Sequence, residues 1–340
     1  MVNFPFVMVF SFIMVFGTLF SLSSSQWFGV WLGLEINLLS FVPIMVEKGG
    51  SLETEAAVKY FLVQAVGSAF FLLGILGLNN NYSVWEYSMG GGLFNFSLLV
   101  FAVVMKLGSA PLHFWVPGVV GSLSWFCNFL LLTWQKIVPL FILCSFLDMS
   151  KFVLLVLVFM SSLFGGVGGV NQSSIRSIIA YSSILHLGWI LGASVLGFVF
   201  SFFYFLLYSL ILAFFCILMV EFESVMSKQF LDIYVWGGNL RGMLVYMLLS
   251  LGGMPPMLGF FGKWVVLVGL IQSGYLFMSI VLVLGSILSL YYYLVLSFSL
   301  ILSFGSVIIK KEVQSLVLSG LGIFMNLFGL IGVFWFFMLS

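Results

Sequence analysis

The sequence has 340 residues, of which 63% are hydrophobic and only 6% are charged, and its formal net charge at pH 7 is +1. A water-soluble domain carries roughly 25% charged residues, so a chain this poor in charge cannot cover a surface that faces water. The near-zero net charge also excludes the basic surface of a nucleic-acid-binding protein. In lipid only helices and closed barrels satisfy their backbone groups, and the apolar runs are about twice as long as barrel strands of ~10 residues. We therefore predict an all-α polytopic membrane protein.

Eleven apolar segments follow one another along the chain, each long enough for the ~20 apolar residues that a membrane-spanning helix requires. They cover residues 3–22, 26–46, 59–78, 93–120, 123–146, 152–170, 174–195, 197–220, 241–272, 275–303 and 316–338. The fourth and ninth segments are longer than one plain span, and each contains proline, which removes a hydrogen bond from a helix interior. We expect both helices to be broken, with the freed carbonyls facing a polar cavity rather than lipid.

The two expected breaks carry similar motifs. The segment L-G-S-A-P ends at Pro111, and the segment L-G-G-M-P ends at Pro255, 144 residues later. We therefore predict two five-helix repeats, over residues 1–147 and 148–303, and then a loop and one further helix over residues 304–340. An odd number of spans in each repeat makes the second copy insert upside down. Inverted repeats with discontinuous helices are typical of transporters.

Lysine and arginine predict the orientation of the chain, because they concentrate on the cytoplasmic or matrix side of a membrane. Seven lie near the N-terminal side of the predicted spans, and only Lys151 lies near the other side. The seven are Lys48, Lys59, Arg176, Lys228, Arg241, Lys310 and Lys311. The N-terminus is therefore expected on the matrix side and the C-terminus on the opposite side. The 41 Phe and 36 Gly, set against two His, indicate a strand-biased mitochondrial genome.

Five titratable residues lie well inside predicted spans. They are Glu35, Lys106, Lys136, His186 and Lys263. A charge at the bilayer centre costs about 2.5–3.5 kcal/mol on insertion scales, so these groups must face one another or water. A static ion pair between helices is the simpler alternative, but three lysines and one carboxylate do not balance as a structural pair should. We interpret the set as a proton path.

Glu35 is the carboxylate expected to control Lys106, which precedes Pro111 by five residues. A low dielectric favours the neutral form of lysine, whereas a neighbouring carboxylate favours the charged form. A lysine held between these effects can take up and release protons. His186 is either a proton relay or a hydrogen-bonded core residue, and both readings stay open.

The remaining polar residues receive simpler interpretations. His113, after the first break, is expected to pack or to gate, and Lys59 to anchor its helix at the interface. The tyrosines of the run 291–293 are expected to contact lipid or neighbouring helices. The three cysteines are expected to be small core residues, and the sequence offers no Cys/His cluster for zinc, haem or an iron–sulfur centre.

Several segments together resemble one known family, NADH dehydrogenase subunit 2 of mitochondrial complex I, in its shorter animal form. They are W-L-G-L-E-I-N, K-Y-F-L-V-Q-A, K-L-G-S-A-P-L-H-F-W-V-P, T-W-Q-K, N-Q-S-S-I-R-S-I-I-A-Y-S-S-I-L-H-L-G-W and G-G-M-P-P-M-L-G-F-F-G-K-W. The resemblance runs from about residue 26 to residue 275 in order. One departure is Ser177, where a second basic residue after Arg176 would be expected.

The resemblance implies an antiporter-like subunit in the membrane arm of the respiratory NADH:ubiquinone oxidoreductase, in the mitochondrial inner membrane. It places Glu35, Lys106, Lys136 and Lys263 on the proton-channel positions of the family. It also implies that this chain binds no cofactor or metal, and that NAD, FMN, iron–sulfur clusters and ubiquinone belong elsewhere in the complex. The expected partners are other membrane-arm subunits, including neighbouring antiporter-like ones, and membrane lipids.

Two rival functions stay open. A free-standing secondary cation/proton antiporter would share the inverted repeat and the buried lysines, although a carrier of metal cations should offer more than one buried carboxylate. A purely structural spacer of the membrane arm would tolerate replacement of Lys106 and Lys263 by methionine.

Overall fold

The computed structural model describes residues 4–47, 49–82, 93–145, 151–225, 238–255 and 257–302. All regular secondary structure in these ranges is helical, which confirms the all-α prediction for the described part of the chain. The eleventh predicted span, residues 316–338, lies outside it. The helices are α1 (Phe4–Ser23), α2 (Trp27–Met45), α3 (Ser51–Tyr82), α4 (Leu93–Leu107), α5 (Trp115–Ser122), α6 (Trp125–Leu132), α7 (Ile137–Ser145), α8 (Lys151–Val170), α9 (Ile175–Ser194), α10 (Phe198–Val225), α11 (Gly238–Gly252), α12 (Leu258–Gln272) and α13 (Leu276–Leu302).

Eight helical segments in the described ranges are long and apolar enough to cross a membrane, the segment Trp125–Ser145 being counted as one. Three shorter apolar helices lie next to the two breaks: Phe94–Leu107, Gly242–Gly252 and Leu258–Gln272. Large apolar side chains such as Phe12, Leu52 and Phe277 are exposed, as expected for helices whose solvent is hydrocarbon. The chain is therefore a polytopic helical membrane protein.

Both predicted breaks are present. Helix α4 ends at Leu107 and α11 ends at Gly252, and each is followed by a glycine in the left-handed region, with φ +67° at Gly108 and +80° at Gly253. Side chains rarely adopt this conformation, whereas glycine enters it without steric cost and so ends a helix. The Gly253 N–H donates to the Leu249 carbonyl over 3.0 Å, which closes the last turn of α11.

A third interruption was not predicted from the sequence. The fifth predicted span divides into α6 and α7, which are joined by one turn of 3₁₀-helix over Trp134–Lys136. Pro139 lacks the N–H that would reach the Gln135 carbonyl, and the Thr133 hydroxyl donates to the Phe129 carbonyl over 2.6 Å. A 3₁₀ stretch inside a helix often marks a hinge or a strained site. Here it contains Lys136.

The chain divides into two compact units, Met1–Lys151 and Phe152–Ser340. In the first unit α1 packs against α2, and α3 packs against α4. In the second unit α9 is the central helix, since its residues from Ser182 to Ser194 are all buried and α10, α12 and α13 pack around it. The polar residues of this buried stretch therefore face other helices rather than lipid.

Candidate functional site

The three lysines selected from the sequence are buried, with exposed fractions of 6% for Lys106, 3% for Lys136 and 5% for Lys263. Each lies at an interruption of a helix. Lys106 is in the last turn of α4, Lys136 is in the 3₁₀ turn, and Lys263 on α12 lies against the end of α11. Interrupted helices expose backbone carbonyls, and the membrane interior tolerates these only in a protein-lined or wet site.

In the first unit, helix α3 forms the wall beside Lys106. The Gln64 side-chain amide donates to the Lys106 carbonyl over 3.2 Å, and the Trp115 indole donates to the Met105 carbonyl over 3.2 Å. These two donors satisfy carbonyls of the last turn of α4, where the helix ladder stops, and the Met105 carbonyl also accepts from the Gly108 N–H over 3.2 Å. Gly67 leaves room for the lysine stem, because a Cβ there would lie 3.3 Å from Lys106 Cγ.

Glu35 on α2 is partly buried, and its Oε1 atom is buried without a hydrogen-bond partner among the described residues. The carboxylate interacts electrostatically with Lys106 and with Tyr60. It forms no ion pair with Lys106 within 4.0 Å, although both side chains are described. The expected pairing is therefore an interaction at longer range. A separation of this kind leaves space for water between a carboxylate and an ammonium.

A hydrogen-bonded cluster that sequence reasoning missed connects three of the motifs. The Asn37 amide donates to Gln135 Oε1 over 3.0 Å, and the Gln135 amide donates back to Asn37 Oδ1 over 3.1 Å. The Tyr60 hydroxyl also donates to Gln135 Oε1, over 3.3 Å. Asn37 is two residues from Glu35, and Gln135 precedes Lys136. The available signal was the presence of amide side chains in apolar runs, since such groups need partners in lipid.

In the second unit, Lys263 binds to the end of α11. Its ammonium donates to the Gly252 carbonyl over 2.8 Å and to the Leu251 carbonyl over 3.5 Å. We call this carbonyl site the seat of Lys263. Gly253 lies directly beside it, because a Cβ there would lie 2.9 Å from Lys263 Nζ. The break in the ninth predicted span thus supplies carbonyls to the lysine that follows it.

His186 lies on the buried helix α9 and is 5% exposed. Its Nδ1 atom lies 2.9 Å from the Tyr204 hydroxyl oxygen, and its ring centroid lies 4.8 Å from that of Tyr208. This contact satisfies the imidazole inside the core, and it also gives the ring a hydrogen-bonded neighbour to which a proton can pass.

The secondary predictions have simple structural counterparts. His113 is buried, its Nδ1 lies 3.2 Å from the Pro111 carbonyl oxygen, and its ring stacks on Phe114. Lys59 forms an ion pair with Glu55 at the start of α3, and both side chains are more than half exposed. No group of three or more His, Cys, Asp or Glu residues in the described part of the chain has the arrangement of a metal site.

The sequence matches known proteins along most of its length. Residues 24–289 match a family described as NADH:quinone oxidoreductase/Mrp antiporter, transmembrane. The chain is 41% identical over 295 residues to NADH-ubiquinone oxidoreductase chain 2 of Anopheles gambiae, with 85% of this chain and 84% of that protein covered. It is 37% identical over 337 residues to the protein of the same name in Branchiostoma lanceolatum, with 96% and 95% covered.

Two solved structures are similar in fold. A chain of respiratory complex I from Thermus thermophilus with bound aureothin gives a TM-score of 0.82 at 22% identity, covering 96% of this chain and 78% of that one. A chain of the Mrp complex from a Dietzia species gives a TM-score of 0.73 at 18% identity, covering 83% and 58%. At these identities the likeness establishes a shared antiporter-like fold.

Proposed function

The chain belongs to the NADH:quinone oxidoreductase/Mrp antiporter family, and from this premise we propose that its buried lysines carry protons across a membrane. It is an antiporter-like membrane subunit of the NADH:ubiquinone oxidoreductase complex. One observation carries the proposal: all three buried lysines lie at helix interruptions, where backbone carbonyls and water can stabilise an ammonium group. A lysine in such a position can lose and regain a proton without leaving its site.

The proposed path has a loading part and an exit part. In the first unit, Lys106 takes up a proton under the influence of Glu35 and passes it through water to Lys136. In the second unit, His186 and Lys263 receive protons and release them on the opposite side. Electron transfer takes place elsewhere in the complex, and its energy is coupled to these steps by conformational change. This chain holds no redox centre in the proposal.

The finer architecture belongs to the same proposal. We infer eleven spans, arranged as two inverted five-helix repeats and one further helix. The N-terminus lies on the matrix side of the mitochondrial inner membrane and the C-terminus on the intermembrane-space side. The partners are neighbouring antiporter-like subunits and membrane lipids. The uneven distribution of lysine and arginine supports this orientation.

The test compares two lysines at different depths. Lys136→Met removes a buried ammonium, whereas Lys59→Met removes a largely exposed one. In the complex reconstituted into vesicles, we expect Lys136→Met to lower proton transport per NADH oxidised and Lys59→Met to leave it unchanged. Equal transport in the two variants would contradict the proposed path and favour a structural spacer.

A free-standing antiporter makes a different prediction. The chain purified alone would exchange Na⁺ for H⁺ in liposomes and would not co-purify with NADH:quinone activity. Glu35 is the one carboxylate inside the predicted apolar spans, which gives a metal cation few ligands. We therefore expect co-purification with NADH:quinone activity and no such exchange.

A further inference from the structure

Four tyrosines form a buried cluster in the second unit, and the proposed path does not use them. Tyr204 and Tyr208 lie on α10, and Tyr292 and Tyr293 lie on α13, with exposed fractions of 3%, 3%, 3% and 1%. We call these four residues the tyrosine cluster. Only Tyr291, the first of the run on α13, is exposed. Of the two expected roles of this run, Tyr291 is therefore exposed as a lipid-contacting residue would be, whereas Tyr292 and Tyr293 pack between helices.

One end of the tyrosine cluster contacts His186. The Tyr204 hydroxyl oxygen lies 2.9 Å from His186 Nδ1, which is hydrogen-bond distance. The Tyr208 ring packs on the imidazole at a centroid distance of 4.8 Å. The Tyr292 and Tyr293 rings lie 4.8 Å apart, and the Tyr293 hydroxyl interacts electrostatically with those of Tyr204, Tyr208 and Tyr292, so the cluster extends from α10 to α13.

The other end lies beside the seat of Lys263. A Cβ on Gly252 would lie 3.5 Å from Tyr293 Cδ2, so the Tyr293 ring rests on this glycine. The carbonyl of the same glycine accepts the Lys263 hydrogen bond of 2.8 Å. An ammonium group has three donors, and the carbonyls of Gly252 and Leu251 account for two. The third N–H is available to a water molecule or a hydroxyl.

The middle of the cluster contains hydroxyl groups that need a partner. The Oη atoms of Tyr292 and Tyr293 are buried and form no hydrogen bond within the described residues. A buried hydroxyl left without a partner is unfavourable, and more so in a membrane interior, where bulk water cannot reach it. The Ser182 hydroxyl lies near the Tyr293 hydroxyl and interacts with it. Its own hydrogen is donated to the Ile179 carbonyl over 2.9 Å. Its oxygen therefore stays an acceptor for a bridging water.

We propose that Tyr204 and Tyr293 are proton-transferring residues that, together with water, connect His186 to Lys263. In each step a phenol oxygen forms a new O–H bond to an incoming proton, and its original O–H bond breaks as the original proton moves to the next acceptor. The phenol is neutral before and after the step, so no counter-ion is needed in the apolar interior. The inference rests on the proposed proton-transport function of Lys263.

The alternative is that the tyrosine rings only fill the core of the unit. If the ring only packs, removing the hydroxyl and keeping the ring should change proton transport little. If the hydroxyl transfers protons, the same change should lower transport. The substitution Tyr293→Phe therefore separates the two. Tyr291→Phe is its matched control, because Tyr291 stands two residues away on the same helix and is 55% exposed.

The experiment uses the whole complex reconstituted into vesicles and measures proton transport per NADH oxidised, together with the yield and thermal midpoint of the complex. We expect Tyr293→Phe and Tyr204→Phe to lower coupled transport about tenfold, with a larger solvent deuterium isotope effect, because positioned proton-transfer groups contribute at least this much. Tyr291→Phe should behave like the unmodified chain. An unchanged thermal midpoint would show that packing is intact.

Two further variants separate the possible failures. If Lys263→Met abolishes transport while Tyr293→Phe matches Tyr291→Phe, the tyrosine relay is wrong and the proposed function stands. If Lys263→Met transports normally, the proposed function itself is wrong. Should Tyr293→Phe fail to assemble, Ser182→Ala removes the acceptor beside Tyr293 with a smaller change, and normal transport in both Ser182→Ala and Tyr204→Phe overturns the relay.

Discussion

The two helix breaks have similar motifs but satisfy their free carbonyls in different ways. At the break after α4, neutral side chains from other segments donate to the carbonyls, Gln64 to Lys106 and Trp115 to Met105. At the break after α11, the ammonium of Lys263 itself donates to the carbonyls. The Lys106 ammonium interacts at longer range with Glu35 and forms no ion pair with it within 4.0 Å.

This difference indicates different constraints on the two lysines. Lys263 is held by backbone atoms, whose position depends on the geometry of the break and not on any one side chain. Lys106 interacts with the side chain of Glu35 at longer range, so its ammonium has more freedom to move. We infer that Lys106 is the more adjustable of the two and Lys263 the more fixed.

The largest expected effect is that of Lys263→Met. It removes a proton carrier and also leaves the Gly252 and Leu251 carbonyls without their donor, which costs about 1–3 kcal/mol per buried group. We expect loss of coupled proton transport and a lower thermal midpoint of the complex. Lys106→Met should lose transport with a smaller change in midpoint, because Gln64 and Trp115 still satisfy the carbonyls. Equal thermal midpoints in Lys263→Met and Lys106→Met would contradict the proposal that only Lys263 stabilises its helix break.

Gly253→Ala should come next. The positive φ of +80° disfavours alanine by roughly 1–2 kcal/mol, and the added Cβ would lie 2.9 Å from Lys263 Nζ. We expect the flexible lysine to move away and coupled transport to fall. Gly108→Ala is the matched control, with φ +67° and a Cβ that would meet Val116 Cγ2 and not a lysine. Gly108→Ala should lower the thermal midpoint of the complex, whereas proton transport by each assembled complex should change little.

Glu35→Gln should have an intermediate effect. It removes the charge that acts on Lys106 while keeping the size of the side chain, so the yield of assembled complex should stay near normal. Proton transport per NADH should fall, because the Lys106 ammonium then has no negative charge opposite it. Unchanged rate and stoichiometry of transport would exclude Glu35 from the mechanism.

The sequence was sufficient to predict the breaks and the burial of the lysines. Charged residues are rare in this chain, and the energetic cost of placing one in lipid leaves few alternatives to an interior site. The positions of Gly108, Pro111, Gly253 and Pro255 likewise indicate interruptions through local backbone chemistry, which does not depend on distant contacts.

What the sequence could not predict depends on distances between helices. The reciprocal amide pair of Asn37 and Gln135 joins residues 98 positions apart, and no local pattern specifies such a pairing. The lack of a direct ion pair between Glu35 and Lys106 is set by helix packing, on a scale of a few ångströms. The run Tyr291–Tyr293 shows the same limit, because the rotation of α13 decides which rings are exposed and which are buried.

Gln64→Leu should have the smallest effect and tests whether the carbonyl at the first break has a role in proton transfer. The substitution removes the amide that donates to the Lys106 carbonyl, and one lost hydrogen bond to a buried acceptor costs about 1 kcal/mol. We expect a slightly lower thermal midpoint and normal proton transport, because the Lys106 ammonium does not depend on this bond. Ser68→Ala, one turn further along α3, is the control, since the Ser68 hydroxyl donates only within its own helix to the Ala65 carbonyl. Transport that falls in Gln64→Leu as far as in Lys106→Met would mean that the carbonyl takes part in the path, and the two breaks would then work alike.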